Sequence, residues 1–195
     1  KNEGTSPWTV NEGRADQGKI IDALPRGYYV SPTQMAQMLN LEPAPSIKVT
    51  DAKWCTATIA QHTSTSGKGT TPDSQLECTQ AEPASLTITK TSAGKFAVMR
   101  EGGNTQDVVG NPEALSAALK QLVVGENTLY TLTWEVPTVH GGQEYKLAVR
   151  ATVKDQSMTK ADPDEAATTN TVNIEGKDVP DKVNVETVSY THLTL

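Results

Sequence analysis

The sequence predicts an all-β fold interrupted by two short helices, and two alternating segments are the main basis for that prediction. Residues 129–136 alternate between apolar and polar side chains, with Trp134 on the apolar face. Residues 145–153 alternate in the same way, and Gly141-Gly142 lies between the two segments. Alternation with a period of two is typical of half-buried strands, and a glycine pair suits a tight turn. The two segments are therefore predicted to form a hairpin.

Shorter segments rich in Val, Ile and Thr predict the remaining strands. Ala93-Gly94 supplies a turn between two of them. Stretches rich in Gly, Ser, Thr and Asp are predicted to be loops, at 61–74, 101–110 and 155–167. The predicted strands cover residues 46–51, 54–60, 75–79, 85–90, 95–100 and 168–174.

Two helices are predicted from their start signals. Ser31 precedes Pro32, and Asn111 precedes Pro112, so each pair offers an N-cap residue followed by proline at the first helical position. The leucines of the second helix share one face, which predicts packing on a sheet edge; they are Leu115, Leu119 and Leu122. The helices lie in two insertions, residues 31–46 and 92–125.

Composition and charge exclude several classes of partner. Of the 195 residues, 36% are hydrophobic and 5% aromatic, which suits a Thr- and Val-rich β protein better than a helical enzyme. The net charge of −6 gives no basic footprint for nucleic acid or an anionic membrane. No apolar run approaches the roughly 20 residues that a membrane helix requires. The expected partners therefore include neither nucleic acid nor a membrane crossed by a helix.

The two cysteines, Cys55 and Cys78, each lie in a predicted strand. A loop rich in Ser, Thr and Gly joins the two strands, so the cysteines are well placed to form a disulfide. A disulfide of this kind indicates an oxidising compartment outside the cytoplasm. The alternative is two unrelated free thiols.

The sequence offers few groups for catalysis or metal binding. The three histidines are scattered, and no zinc-ligand spacing is present. No catalytic or cofactor-binding residue is therefore assigned, no cofactor is expected, and the chain is predicted not to be an enzyme. Asp162, Asp164 and Glu165 are weak candidate ligands for Ca²⁺, because carboxylates two residues apart in a loop can share that ion. The alternative is a solvated acidic turn.

Five motifs, in order along the chain, resemble a known family. They are N-E-G-T-S-P from Asn2, D-A-L-P-R-G from Asp22, W-C-T from Trp54, E-C-T from Glu77 and T-N-T-V-N-I from Thr169. The set resembles the conserved repeat domain of unknown function that occurs in tandem in bacterial and archaeal surface proteins. In that family the first cysteine motif reads W-T-C. The earlier position of Cys55 would turn its side chain to the other strand face.

The resemblance implies an all-β, immunoglobulin-like β-sandwich with two short helical insertions, truncated at its N-terminal edge. Residues 1–176 would form this domain, and 177–186 would be a linker or the start of the next repeat. Residues 187–195 resemble translated sequencing-adapter DNA, a transposon mosaic end, and are interpreted as an artefact from fragmentary, metagenomic DNA.

The implied function is a structural spacer or adhesive module of a secreted or cell-surface bacterial protein, without catalysis. Its partners would be neighbouring repeats of the same polypeptide, and its location the cell surface, the cell wall or the extracellular medium. The alternative is an adhesin domain that binds a host or environmental ligand through the insertions 31–46 and 92–125.

Overall fold

A computed structural model of the chain describes Thr5 and residues 19–60, 76–135, 140–143, 147–153, 169–174 and 177–182. Several sequence-based predictions lie outside these residues. They are the N-E-G-T-S-P motif apart from Thr5, the loops at 61–74 and 155–167, the acidic Asp162, Asp164 and Glu165, and the tail at 187–195.

The described residues form eleven strands and two helices. The helices are α1 (Pro32–Leu39) and α2 (Pro112–Ala118). The strands are β1 (Lys19–Ala23), β2 (Tyr28–Tyr29), β3 (Ser46–Ala60), β4 (Leu76–Lys90), β5 (Phe96–Arg100), β6 (Thr105–Val108), β7 (Leu122–Val123), β8 (Leu129–Glu135), β9 (Thr152–Val153), β10 (Thr169–Ile174) and β11 (Lys177–Lys182).

Nine of the strands form one sheet in the order β11-β10-β1-β8-β3-β4-β5-β6, with β7 paired to β3 beside this path. The strands β2 and β9 form a separate two-stranded sheet. Every described pairing is antiparallel. The prediction of a mainly β fold with two short helices is confirmed at this level. Residues 177–182, interpreted as part of a linker, form β11 on the edge of the sheet.

The predicted hairpin between residues 129–136 and 145–153 is wrong within the described residues. A turn is present, in which the Gln143 amide donates to the His140 carbonyl, and Gly142 has a φ of 80°. However, β8 pairs with β1 on one side and β3 on the other, so it has no free edge. Residues 147–151 consequently form no strand, and β9 pairs with β2 instead.

Both predicted helices begin where their caps indicate. The Ser31 hydroxyl accepts from the Gln34 amide, and the Gln34 side chain accepts from the Ser31 amide, which completes a capping box. The Asn111 side chain accepts from the Ala114 amide at the start of α2. These bonds satisfy amide groups that the first turn of a helix leaves without partners.

Strands β3 and β4 are longer than predicted, because each joins two of the predicted strands: 46–51 with 54–60 in β3, and 75–79 with 85–90 in β4. Asp51 has a φ of 53° and lies within a register shift between Val49 and Ala52. This β-bulge lets β3 continue where the sequence indicates a break. The buried Thr128 hydroxyl accepts from the Gly125 amide and donates to the Asp51 carbonyl, so it fastens the bulge to the chain before β8.

The core lies between one face of the large sheet and the two helices. Alternate residues of four neighbouring strands point to this face, among them Ile47, Ile88, Phe96 and Trp134, all at most 2% exposed. The opposite face carries half-buried or exposed residues such as Thr131. Helix α1 covers the core with Met35, Ala36, Met38 and Leu39, and α2 contributes Leu115.

Candidate functional site

Cys55 and Cys78 form a disulfide between β3 and β4, with their Cα atoms 5.8 Å apart. The two residues are not direct partners in the ladder, because Cys55 lies opposite Ala81 and Cys78 opposite Thr58. Two register irregularities lie between these pairs, one on each side of Ala57. They offset the early position of Cys55 in W-C-T and allow both sulfurs to reach the same side of the ribbon.

The disulfide lies where β3 and β4 extend beyond most of their neighbours. Strand β5 pairs with β4 only from Leu86 to Lys90, and β8 pairs with β3 only from Ser46 to Thr50. Beyond these points the ribbon has β7 beside it, at Lys53 and Trp54. Within the described residues, the bond therefore fastens a two-stranded arm that has little sheet around it.

The base of this arm carries an aromatic–cation contact. The Arg100 guanidinium carbon lies 5.3 Å from the centroid of the Trp54 ring. This distance is within the range of a cation–π interaction. Trp54 is half-buried and packs against the edge of the core.

The structure brings together the two insertions that the sequence analysis considered for ligand binding. Helices α1 and α2 contact each other, and the Asn40 side chain donates to the Gly110 carbonyl. A cavity of about 220 Å³ lies between the helices and the sheet. Its lining is Tyr29, Val30, Pro32, Met35, Ser116, Leu119, Lys120, Leu122, Val124 and Tyr130. We refer to it as the interhelical cavity.

The floor of the interhelical cavity is apolar and its mouth is polar. Val30, Met35, Leu119 and Tyr130 are each at most 5% exposed, so they form the inner wall. Ser116 and Lys120 are exposed and mark the opening to solvent. A shallower depression of about 540 Å³ continues from this opening along α2, and its lining includes Glu113.

Tyr130 is the buried polar residue of the floor. Its ring meets the Tyr29 ring edge-on, with centroids 6.4 Å apart and planes at 78°. Burial raises the pKa of the Tyr130 phenol, Tyr29 adds to the rise, and the Val30 backbone opposes it to a smaller extent. The phenol oxygen lies near the Val30 backbone, but within the described residues it makes no hydrogen bond of regular geometry.

The interhelical cavity is not visible in the sequence, because its lining comes from three separate segments, residues 29–35, residues 116–124 and Tyr130. In the sequence, these segments show only the patterns of ordinary helix caps and apolar strand residues. The structure also gives no account of the Ca²⁺ candidates, which lie outside the described residues. Within those residues, no group of three or more His, Cys, Asp or Glu side chains is arranged to hold a metal ion.

No protein-family model, curated protein or solved structure matches the chain. Neither of the two described helices has the length and apolar character that a bilayer crossing requires.

Proposed function

We propose that this chain is a structural module of a secreted or cell-surface protein and has no catalytic activity. The observation that carries the proposal is the Cys55–Cys78 disulfide, because such bonds form and persist in oxidising compartments. Its position adds support, since it fastens an arm of the sheet that has few neighbouring strands among the residues that the structure describes. A module exposed outside the cell benefits from this covalent restraint.

The finer fold, an immunoglobulin-like sandwich that repeats along a longer polypeptide, is part of the same proposal. It is supported by the antiparallel pairing of the described strands. Helices α1 and α2 are then additions that cover the face of the large sheet. The partners of such a module are neighbouring repeats of the same chain.

The experiment that tests the extracellular proposal is mass spectrometry of the chain after secretion into an oxidising compartment. The non-reduced, folded protein is expected to be lighter than the reduced protein by the mass of two hydrogen atoms. Peptide mapping should recover Cys55 and Cys78 in one cross-linked pair. Two free thiols in folded, secreted protein would contradict the proposal.

A second candidate function is binding of a ligand through the two insertions. The interhelical cavity favours it, because both helices and the strand residues between them contribute to one concave surface. The neighbouring sequence in the full-length gene distinguishes the two functions. A spacer is expected between similar repeats, whereas a ligand-binding domain is expected alone and distal.

A further inference from the structure

The interhelical cavity has the size of a small ring. An apolar protein cavity of about 150 Å³ is known to accept benzene. The volume here is about 220 Å³, which leaves room for one six-membered ring and a small substituent. A disaccharide or a peptide segment would not fit inside it.

The chemistry of the lining suits an apolar ring. Met35, Leu119, Leu122 and Val124 provide aliphatic contacts around the space. Tyr130 provides an aromatic surface on the floor, and aromatic rings gain from edge-to-face or offset contacts with one another. Burial of a ring against these side chains is favoured by the hydrophobic effect.

The positive charge at the opening of the interhelical cavity favours an anionic substituent on the ring. Lys120 is exposed, and the described residues give its ammonium group no ion pair, since Lys90–Glu42 is the salt bridge among them. The N-terminal end of α1 borders the cavity at Pro32 and the C-terminal end of α2 borders it at Leu119, so the two helix dipoles oppose each other and Lys120 sets the charge. Glu113 is the acidic residue of the neighbouring depression and does not line the cavity.

From this arrangement we propose that the interhelical cavity binds a monocyclic carboxylic acid. The ring lies between the helices and Tyr130, and the carboxylate pairs with Lys120 at the mouth. The proposal rests on the second candidate function and names its ligand class. It is independent of the disulfide, so the mass measurement above and the titration below can fail separately.

The test is a calorimetric titration of the full chain with three probes: benzoate, benzyl alcohol and acetate. Benzoate carries both ring and charge, benzyl alcohol has the ring alone, and acetate has the charge alone. Benzoate is expected to bind with a dissociation constant on the order of 1 mM or below, and each of the others about tenfold more weakly. Equal binding of acetate and benzoate would reject the ring site.

Two variants locate the site. Lys120→Gln is expected to weaken benzoate binding about tenfold and to leave benzyl alcohol unchanged, because it removes the cation alone. The matched control is Lys95→Gln, which changes an exposed lysine in the turn between β4 and β5. Ser116→Trp places a large ring at the exposed mouth and should abolish binding of both ring probes.

Three further outcomes would overturn the proposal. The first is a benzoate titration that does not saturate at millimolar concentrations. The second is an equal response of Lys120→Gln and Lys95→Gln, which would place the carboxylate elsewhere. The third is unchanged benzoate binding by a folded Ser116→Trp variant. All three substitutions change exposed side chains, so each variant is expected to fold. Circular dichroism of each variant verifies this.

Discussion

Trp134 is the largest fully buried side chain of β8. Its side chain is 2% exposed, and its strand lies between β1 and β3. Replacement by alanine removes a large buried ring and leaves a cavity that the paired neighbours cannot close. The Trp134→Ala variant is expected to lose about 3–5 kcal/mol of unfolding free energy.

Chemical denaturation of the purified protein measures this loss. Thr133→Ala is the matched control, because Thr133 is adjacent on the same strand and points to the opposite, half-buried face. It is expected to change the free energy by about 0.5 kcal/mol or less. Equal losses in the two variants would show that the faces of β8 are assigned incorrectly.

The buried ring of Tyr130 stabilises the fold, whereas its buried hydroxyl destabilises it. Its phenol oxygen is buried and lies near the Val30 backbone, but it makes no hydrogen bond of regular geometry within the described part of the chain. A buried polar group without a partner costs about 1–3 kcal/mol. Tyr130→Phe retains the ring, and is therefore expected to leave the midpoint of thermal unfolding unchanged or to raise it. A clear fall in that midpoint would show that the hydroxyl has a partner.

The raised pKa of Tyr130 also predicts how stability changes with pH. Its ordinary value is about 10, and the folded state holds it higher. The unfolded chain therefore ionises first, so the stability due to the neutral phenol is complete below about pH 10 and falls as the pH rises through the folded-state pKa. Tyr28 shifts in the same direction because it is buried. The unfolding free energy, measured from pH 9 upward, should fall less steeply with pH in the Tyr130→Phe variant than in the wild type.

At the scale of elements, the disulfide stabilises the arm formed by the outer parts of β3 and β4. Cys55 and Cys78 are 23 positions apart. Closing a loop of this length contributes roughly 3 kcal/mol on the chain-entropy model. The double variant Cys55→Ser/Cys78→Ser is expected to lose about that much unfolding free energy. In the presence of reductant the wild-type protein should fall to the same stability, and a wild type insensitive to reductant would contradict this account.

The capping box of α1 is a second local device that can be tested. Ser31→Ala removes the oxygen that accepts from the Gln34 amide. The expected cost is about 1 kcal/mol in denaturant unfolding. Ser92→Ala, in the exposed turn before β5, serves as the control and should have no measurable effect. Equal unfolding midpoints for the two variants would mean that α1 does not depend on its cap.

The accuracy of the sequence-based predictions depends on whether the signal is local. The caps at Ser31 and Asn111 and the turn at Gly94 are fixed by neighbouring residues, and all three are present. The strands that pair with β8 are distant from it in the sequence, and alternation within β8 carries no information about which strands they are. For the same reason the sequence did not reveal the interhelical cavity.

At the scale of the whole molecule, the large sheet joins distant parts of the chain. Ile20 of β1 pairs with Ile174 of β10, and β1 also pairs with β8. Such pairings require closure of long loops before any contact is gained, so they slow folding relative to local hairpins. The β4–β5 hairpin is local and can form early, whereas the β1 ladder completes the sheet.

The interpretation of residues 187–195 as adapter-encoded can be tested on the same scale. These residues lie outside the described part of the chain. A segment that was never selected to pack should contribute nothing to the fold. Deletion of 187–195 is therefore expected to leave the thermal unfolding midpoint and ligand binding unchanged. A large loss of stability on deletion would show that the segment is native to the domain.

The bond between Cys55 and Cys78 also closes the chain between the two cysteines into a covalent loop. Because the crosslink persists in the unfolded chain, the enclosed segment is a closed loop in both the folded and the unfolded state. The entropy cost of a longer segment is therefore similar in the two states. Foreign sequence grafted between residues 60 and 76 would then be held at the end of a covalently closed ribbon. An insertion between residues 60 and 76 is therefore expected to cost less unfolding free energy in the oxidised protein than in the reduced protein.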